Sequence, residues 1–191
     1  MTIEEAITVR RARTRDVVHI RRLIDLFSGE GRILTKSTVT LYEDIQEFWV
    51  GELDDGTSKR VVGCGALHVL WEDLAEVRTV AVDPEVQGRG VGHRIVSALL
   101  DTARELGVRR VFCLTFETAF FAKHGFVEIK GTPVSDEVYQ ELLRSYDEGV
   151  AEFLDLDRVK PNTLGNVRML LHLDSDPAQD SANGSSARPG A

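Results

Sequence analysis

The sequence predicts one α/β domain built on a mixed, mostly antiparallel central sheet flanked by helices, and three observations predict it. Strand-like and helix-like apolar periods alternate along the chain without internal repeats. An Asp-Gly turn signal at 55–56 joins two strand-rich runs, the mark of an antiparallel hairpin. A strand near 76–82 then runs through Gly88, Gly90 and Gly92 into a long amphipathic helix. With 42% hydrophobic and 28% charged residues in 191, one core is the default.

Residues 7–12 read as a short strand. Thr14 as N-cap, with Asp16 in the first turn, predicts a helix on the apolar stripe Val17, Ile20, Ile24 and Phe27, stopped by Gly29 and Gly31. A second helical period follows Ser37 through Leu41, Ile45 and Phe48. Residues 49–53 and 60–70 form the hairpin, and 76–82 a third antiparallel strand stopped by Asp83-Pro84. Val91, Ile95, Leu99, Ala103 and Leu106 line one face of the next helix, which Gly107 ends. Residues 109–115 alternate as a strand, and a short helix from Thr118 to about His124 closes at Gly125. A strand at 126–129, a Ser135-capped helix reaching about Tyr146 and a buried strand at 167–173 complete a domain spanning 7–173. Residues 174–191 hold no Val, Ile, Leu, Met, Phe, Trp, Tyr or Cys but two of the five prolines, which predicts a disordered tail.

The formal charge of -8, of which the tail carries -2, leaves an acidic folded part that repels phosphate backbones. Nucleic acid is therefore not an expected partner, and any anionic ligand needs a local basic patch. Two isolated cysteines, Cys64 and Cys113, make neither a disulfide framework nor a zinc-ligand set, so no metal is expected. No secretory signal or membrane-spanning run is visible, and a reducing cytoplasm is the expected compartment.

The informative segment runs from Val80 to Arg94. A strand entering a helix through a glycine-rich turn gathers unpaired backbone N–H groups and the positive helix end around one concavity, a site for phosphate or pyrophosphate. Arg89, His93 and Arg94 supply the local cations. A P-loop fails, because no Gly-Lys-Ser/Thr follows. A dinucleotide fingerprint needs a glycine at 93, where His stands. Gln87-Gly88-Arg89-Gly90-Val91-Gly92 resembles the Gln/Arg-x-x-Gly-x-Gly/Ala motif of the GNAT N-acetyltransferases, and it follows the fourth strand as in that family. Residues 119–126, Ala-Phe-Phe-Ala-Lys-His-Gly-Phe, resemble the family's second motif.

The resemblance implies the GNAT fold, with splayed fourth and fifth strands, and acetyl-CoA as acetyl donor. It implies that Val80, Ala81 and Val82 run beside the pantetheine arm, with Val80 and Val82 paired to it. Gln87, Gly88, Arg89, Gly90, Val91, Gly92, His93 and Arg94 would then hold the cofactor's phosphates. Acetyl transfer to an amine needs a base for the amine and a proton for the leaving thiolate. On an unbulged strand Glu76, Arg78, Val80 and Val82 share a face, and Glu76 is the candidate base.

From about Val9 to Leu173 the chain further resembles the acetyltransferase domain of N-acetylglutamate synthases, in a short form without an amino-acid-kinase domain. The likeness rests on Val9-Arg10-Arg11-Ala12, residues 33–37, Cys64-Gly65-Ala66-Leu67, residues 75–82 and Asn166-Val167-Arg168-Met169-Leu170. It implies acetylation of the α-amine of L-glutamate, the first step of arginine biosynthesis, with Glu76 as base and Lys36 and Arg168 at the substrate carboxylates. Thr35 stands where these synthases carry a first basic residue; Arg78 is the candidate replacement, and glutamine becomes a credible second acceptor. Phe121 stands where many GNAT enzymes have a proton-donating tyrosine, leaving Thr115 or Thr118 as hydroxyl candidates, with Thr118 the expected acid. His68 and His124 read as packing or surface residues, and the polar loop 160–166 as an even choice for the border of the acceptor site. Rival readings are a protein, peptide or drug amine acetyltransferase, which wants an acidic groove, and a non-catalytic sensor of CoA or amino acids. The expected partner is a small-molecule amino acid, with a homodimer left open and no membrane.

Overall fold

The computed structural model describes residues 6–29, 33, 36–147, 150, 151, 154 and 165–173. The proposed tail at 174–191, Thr35 and most of the loop 160–166 lie outside these residues.

The strands are β1 (Ala6–Arg11), β2 (Phe48–Asp54), β3 (Lys59–Trp71), β4 (Leu74–Val82), β5 (Arg110–Thr115), β6 (Val127–Glu128) and β7 (Val167–His172), in one seven-stranded sheet of order β1-β2-β3-β4-β5-β7-β6. Every neighbouring pair is antiparallel except β4 and β5. The helices are α1 (Val17–Ser28), α2 (Thr38–Glu43), α3 (Val91–Glu105), α4 (Thr118–Ala122) and α5 (Asp136–Leu142). The fold is thus the mixed α/β sheet expected. Insertion of β7 between β5 and β6 is the one strand placement that no local pattern signals.

Three helices come out shorter or shifted. Ser37 does cap α2, its hydroxyl accepting the Thr40 N–H at 3.2 Å, but the helix ends at Glu43 and a 3-10 turn at Ile45–Glu47 leads Phe48 into β2. Phe48 is fully packed there, so burial on the sheet prevails over the helical period that includes it. α5 stops at Leu142, four residues short of Tyr146. Asp16 rather than Thr14 braces the entry to α1: its carboxylate accepts the Arg13 N–H at 2.8 Å and the Arg10 guanidinium at 2.7 Å.

The helices cover both faces. On one, Val91, Ile95, Leu99 and Ala103 of α3 pack with Phe121 and Phe126 against Val62, Leu67, Val77 and Val111. On the other, Val17, Ile20, Leu23 and Ile24 of α1 cover Val50, Cys64, Ala66 and Ala81, while Leu142 meets Leu74, Phe112 and Leu170. α3 lies close to the sheet because Gly51, Gly63 and Gly65 form a bare track beneath it. A Cβ on Gly63 would come within 2.8 Å of Val91 Cγ1 and 2.9 Å of Ile95 Cδ1. Gly63→Ala is therefore expected to cost about 1–3 kcal/mol by overpacking, read as a lower denaturant midpoint. An unchanged midpoint would mean that the Val91 and Ile95 side chains swing aside freely.

β4 carries an irregularity that decides the site. Cys64 pairs with Ala81 and Ala66 with Arg78, so Thr79 and Val80 together oppose Gly65. Thr79 has φ +56, the sole positive φ outside glycine among the described residues. A bulge of this kind bends its strand and reverses the alternation of side chains beyond it. The expected common face of Glu76, Arg78, Val80 and Val82 is therefore broken: Val80 and Val82 pack on the α3 side, as Val77 does, and Ala81 on the α1 side.

Candidate active site

β4 and β5 stay paired only at Leu74–Arg110, Ala75–Val111 and Glu76–Phe112. Beyond Glu76 the bulge turns β4 away, and residues 77–82 face 113–115 across a gap with no pairing among the described residues. That splay opens a cleft of about 880 Å³. Its floor is residues 76–82. One end is the glycine turn and the first residues of α3, and the other is Lys36, Ser37 and Thr40 with Tyr146, Asp147 and Asn166.

The turn has the geometry an anion needs. Gly88 and Gly90 take φ of +78 and +77, the left-handed region that L side chains avoid, and a Cβ at either would meet no atom within 4 Å. The backbone is thus bare toward the cleft, and the N–H groups of the fifteen-residue α3 open toward it. Gln87 Nε2 donates to the Val82 carbonyl at 3.3 Å, tying the turn to the strand end. Of the residues expected at the cofactor, Val80, Ala81, Val82, Gln87, Gly88, Gly90, Val91, Gly92 and His93 line the cleft. Arg89 and Arg94 do not, and Arg94 Nη1 donates to the Ile7 carbonyl at 2.8 Å. A pyrophosphate on the turn, with its arm running into the β4–β5 gap, fits these residues.

At the other end, Glu76 is 4% exposed and sits at the last paired position before the gap. Arg78, next on the same face, does not project as a free cation. Its Nη1 donates to Asp147 Oδ2 at 2.9 Å and lies 3.9 Å from Glu76 Oε2, and its Nη2 donates to Glu47 Oε2 at 3.0 Å and Asp44 Oδ2 at 3.4 Å. Burial works to lower the guanidinium pKa, but the charges of Glu76, Asp147 and Glu47 outweigh it and raise it. Burial likewise works to raise the Asp147 carboxyl, and the charges of Arg78 and Lys36 hold it at about 2 instead. Nη1 and Nη2 of Arg78 are thus engaged by carboxylates, while its buried Nε has no hydrogen-bond partner among the described residues and the residue lines the cleft. Lys36 Nζ lies 3.5 Å from Asp44 Oδ2 and lines the cleft. Arg168 stands opposite Leu114 on the β5–β7 pair, on the sheet face that carries Phe112 and Glu76, but is not among the cleft-lining residues; its neighbour Asn166 is.

The hydroxyl expectation also changes. Thr118 opens α4 and is absent from the lining, whereas Thr115, the last residue of β5, is buried at the gap. Its Oγ1 accepts the Glu117 N–H at 2.9 Å, which leaves the hydroxyl proton to be donated elsewhere. Phe121 lines the cleft without a donor. Sequence reasoning also missed two histidines. His68, directly opposite Glu76 on β3, has Nδ1 2.7 Å from Glu47 Oε1, and His124 Nε2 is 2.9 Å from His93 Nδ1. No local signal marks either pair, because the partners are 21 and 31 residues away. Burial pushes the Cys64 thiol up to about 12 and raises Cys113 too, which works against thiolate formation at either. Among the described residues no group of three His, Cys, Asp or Glu is placed to hold a metal, and no helix is long and apolar enough to cross a membrane.

The pattern of the acetyltransferase (GNAT) family matches residues 20–126, from within α1 through the glycine turn to the second motif. The chain belongs to the GNAT acetyltransferase family. Over 165 residues this GNAT chain is 64% identical to the amino-acid acetyltransferase of Mycobacterium tuberculosis, covering 86% of itself and 94% of that protein. The crystal structure of Rv2747 from M. tuberculosis, solved with CoA and a second ligand, superposes with a TM-score of 0.84 at 62% identity, over 87% of this chain and 99% of that one. N-acetylglutamate synthase from Neisseria gonorrhoeae, solved with CoA and N-acetyl-glutamate, superposes with a TM-score of 0.68 at 25% identity. That match covers 90% of this chain but 36% of the synthase, so the GNAT chain corresponds to about a third of the longer protein. The splay and the turn are the GNAT features expected from the motifs.

Proposed function

We propose that this chain transfers the acetyl group of acetyl-CoA to the α-amino group of L-glutamate, the reaction that opens arginine biosynthesis. The chain is an amino-acid N-acetyltransferase that uses acetyl-CoA, a kinship carried by 64% identity over nearly the whole of the mycobacterial enzyme. The observation that carries the catalytic reading is the place of Glu76, a buried carboxylate at the mouth of the strand gap, in one cleft with Lys36 and the glycine turn. Glutamate as acceptor is supported by the likeness to the N. gonorrhoeae synthase solved with N-acetyl-glutamate.

The thioester supplies an acetyl group already activated for attack. The protein must hold the two substrates, free the amine and manage protons. Glu76 takes a proton from the acceptor ammonium, directly or through water. Lys36 receives an acceptor carboxylate, with Arg168 approaching from the β7 side. Thr115, in place of Thr118, donates its hydroxyl proton as a hydrogen bond to the departing sulfur; a thiol pKa near 8.5 lets the thiolate then recover a proton from water. Arg78 acts as the charge at the centre of Asp44, Glu47, Glu76 and Asp147 rather than as a clamp on substrate.

One observation favours glutamine as a second acceptor. Four carboxylates surround the acceptor end against Lys36 and Arg78, and a neutral side-chain amide meets less repulsion there than a second carboxylate. A thiol-release assay with acetyl-CoA against a panel of amino acids tests the proposal. Turnover with glutamate is expected, with glutamine next. Turnover with neither would remove the substrate assignment, and tight acetyl-CoA binding without turnover on any amine would indicate a sensor.

A further inference from the structure

We propose that His93 and His124 form a two-imidazole clasp at the phosphate end of the cleft that takes up one proton when the CoA pyrophosphate seats. The inference rests on the assignment of the glycine turn to CoA. His93 is the third residue of α3 and lines the cleft, so its side chain stands beside the bare turn of Gly88 and Gly90. Its Nδ1 lies 2.9 Å from His124 Nε2, and Phe120 packs against its ring at a centroid distance of 4.7 Å. The two rings are therefore held in one arrangement across α3 and the end of α4.

At that separation one hydrogen lies between the rings. A neutral pair carries two N–H protons on four nitrogens, so only one outer nitrogen can donate and the other presents a lone pair. One added proton makes both outer nitrogens donors and the pair cationic, which is what a phosphate requires. A second added proton would set two cations 2.9 Å apart and is excluded by repulsion. The neighbouring charges set the direction. The positive end of α3 and Lys123 beside His124 oppose charging of the empty pair. Glu117 at the start of α4 favours it, Arg94 is committed to the Ile7 carbonyl, and β4 offers only Val80 and Val82. Burial first, and then the charge of His93, lower the His124 pKa, which works against a proton on the empty clasp. Pyrophosphate reverses the balance. The bound pair's pKa is then higher than the free pair's, binding consumes a proton, and affinity rises as pH falls.

The probe is 3′-dephospho-CoA, which keeps the pyrophosphate but lacks the terminal phosphate that itself titrates near pH 6. Calorimetric titration into the whole chain at pH 7, in phosphate-free buffers of unlike ionisation enthalpy, counts the linked protons. We expect uptake of about half a proton, which by linkage corresponds to about a fivefold loss of affinity between pH 6.5 and 8.0. His93→Gln, which removes the ring that lines the cleft, should abolish the uptake and flatten the pH dependence while still binding, and His124→Gln should lower the uptake below the wild-type count. Zero uptake by the wild-type chain, or uptake retained in both variants, overturns the clasp, and the wild-type count decides even if a variant fails to fold. Failure of both CoA and dephospho-CoA to bind at any pH would instead overturn the cofactor assignment, and the clasp with it.

Discussion

Glu76→Gln lowers kcat/KM about 10²–10³-fold at neutral pH and leaves CoA affinity unchanged, as expected for loss of a general base. Gln keeps the shape of Glu at a buried position, but it exchanges one acceptor oxygen for an NH2 donor and removes one of the four negative charges around Arg78, so a thermal melt accompanies the kinetics. What disappears is the proton acceptor at the end of the paired part of β4. The variant can use only the fraction of acceptor that arrives already deprotonated, and that fraction grows tenfold per pH unit below the amine's pKa. Its rate should therefore climb steeply with pH, and the deficit relative to wild type should be widest in acid. Steady-state kinetics from pH 6 to 9, with CoA binding measured separately, check this. A parallel profile with a small constant deficit would remove Glu76 as base.

Arg78→Met destabilises the protein by about 3–5 kcal/mol, the usual consequence of deleting one side of a buried ionic cluster. Methionine fills the volume but leaves Asp44, Glu47, Glu76 and Asp147 facing one another without their central cation. For a domain of this size the melting temperature should fall by on the order of 10 °C. Arg78→Lys should recover part of the loss, since a single ammonium cannot reach Asp147, Glu47 and Asp44 together. The pH dependence carries a further mark. Asp147 is held at about 2 when folded, below its ordinary value near 4, so its contribution is full above pH 4 and is lost as pH falls from about 4 through 2. Without Arg78 that acid limb should flatten, and the deficit against wild type should narrow as the carboxylates protonate. Thermal melts between pH 3 and 8 read both effects, and an Arg78→Met variant melting within 2 °C of wild type at pH 7 would contradict the account.

Much of the candidate site was legible before any coordinates. Gly88 and Gly90 announced a left-handed turn, and the Val91, Ile95, Leu99 stripe announced the helix behind it, because contiguous residues encode both. The strand that carries Glu76 was legible from its likeness to the synthases. Thr118 and Thr115 are three residues apart, and only the end of β5 and the packing of α4 decide which hydroxyl reaches the gap. The carboxylates around Arg78 are not legible in the sequence, because its partner Asp147 is 69 residues away and no local pattern counts charges at that range.

The sequence by itself determined the kind of most major elements, the left-handed glycine turn and the family, since periodicity, turn chemistry and motif spacing are properties of neighbouring residues. Tertiary structure alone decided the rest. The Thr79 bulge sent Val80 and Val82 to the opposite face from Glu76, so strand alternation could not be extrapolated through it. It also decided where β7 enters the sheet, what surrounds Arg78, and that His93 meets His124. Each of these depends on register between distant segments, which is fixed when the faces of the sheet are buried and not before.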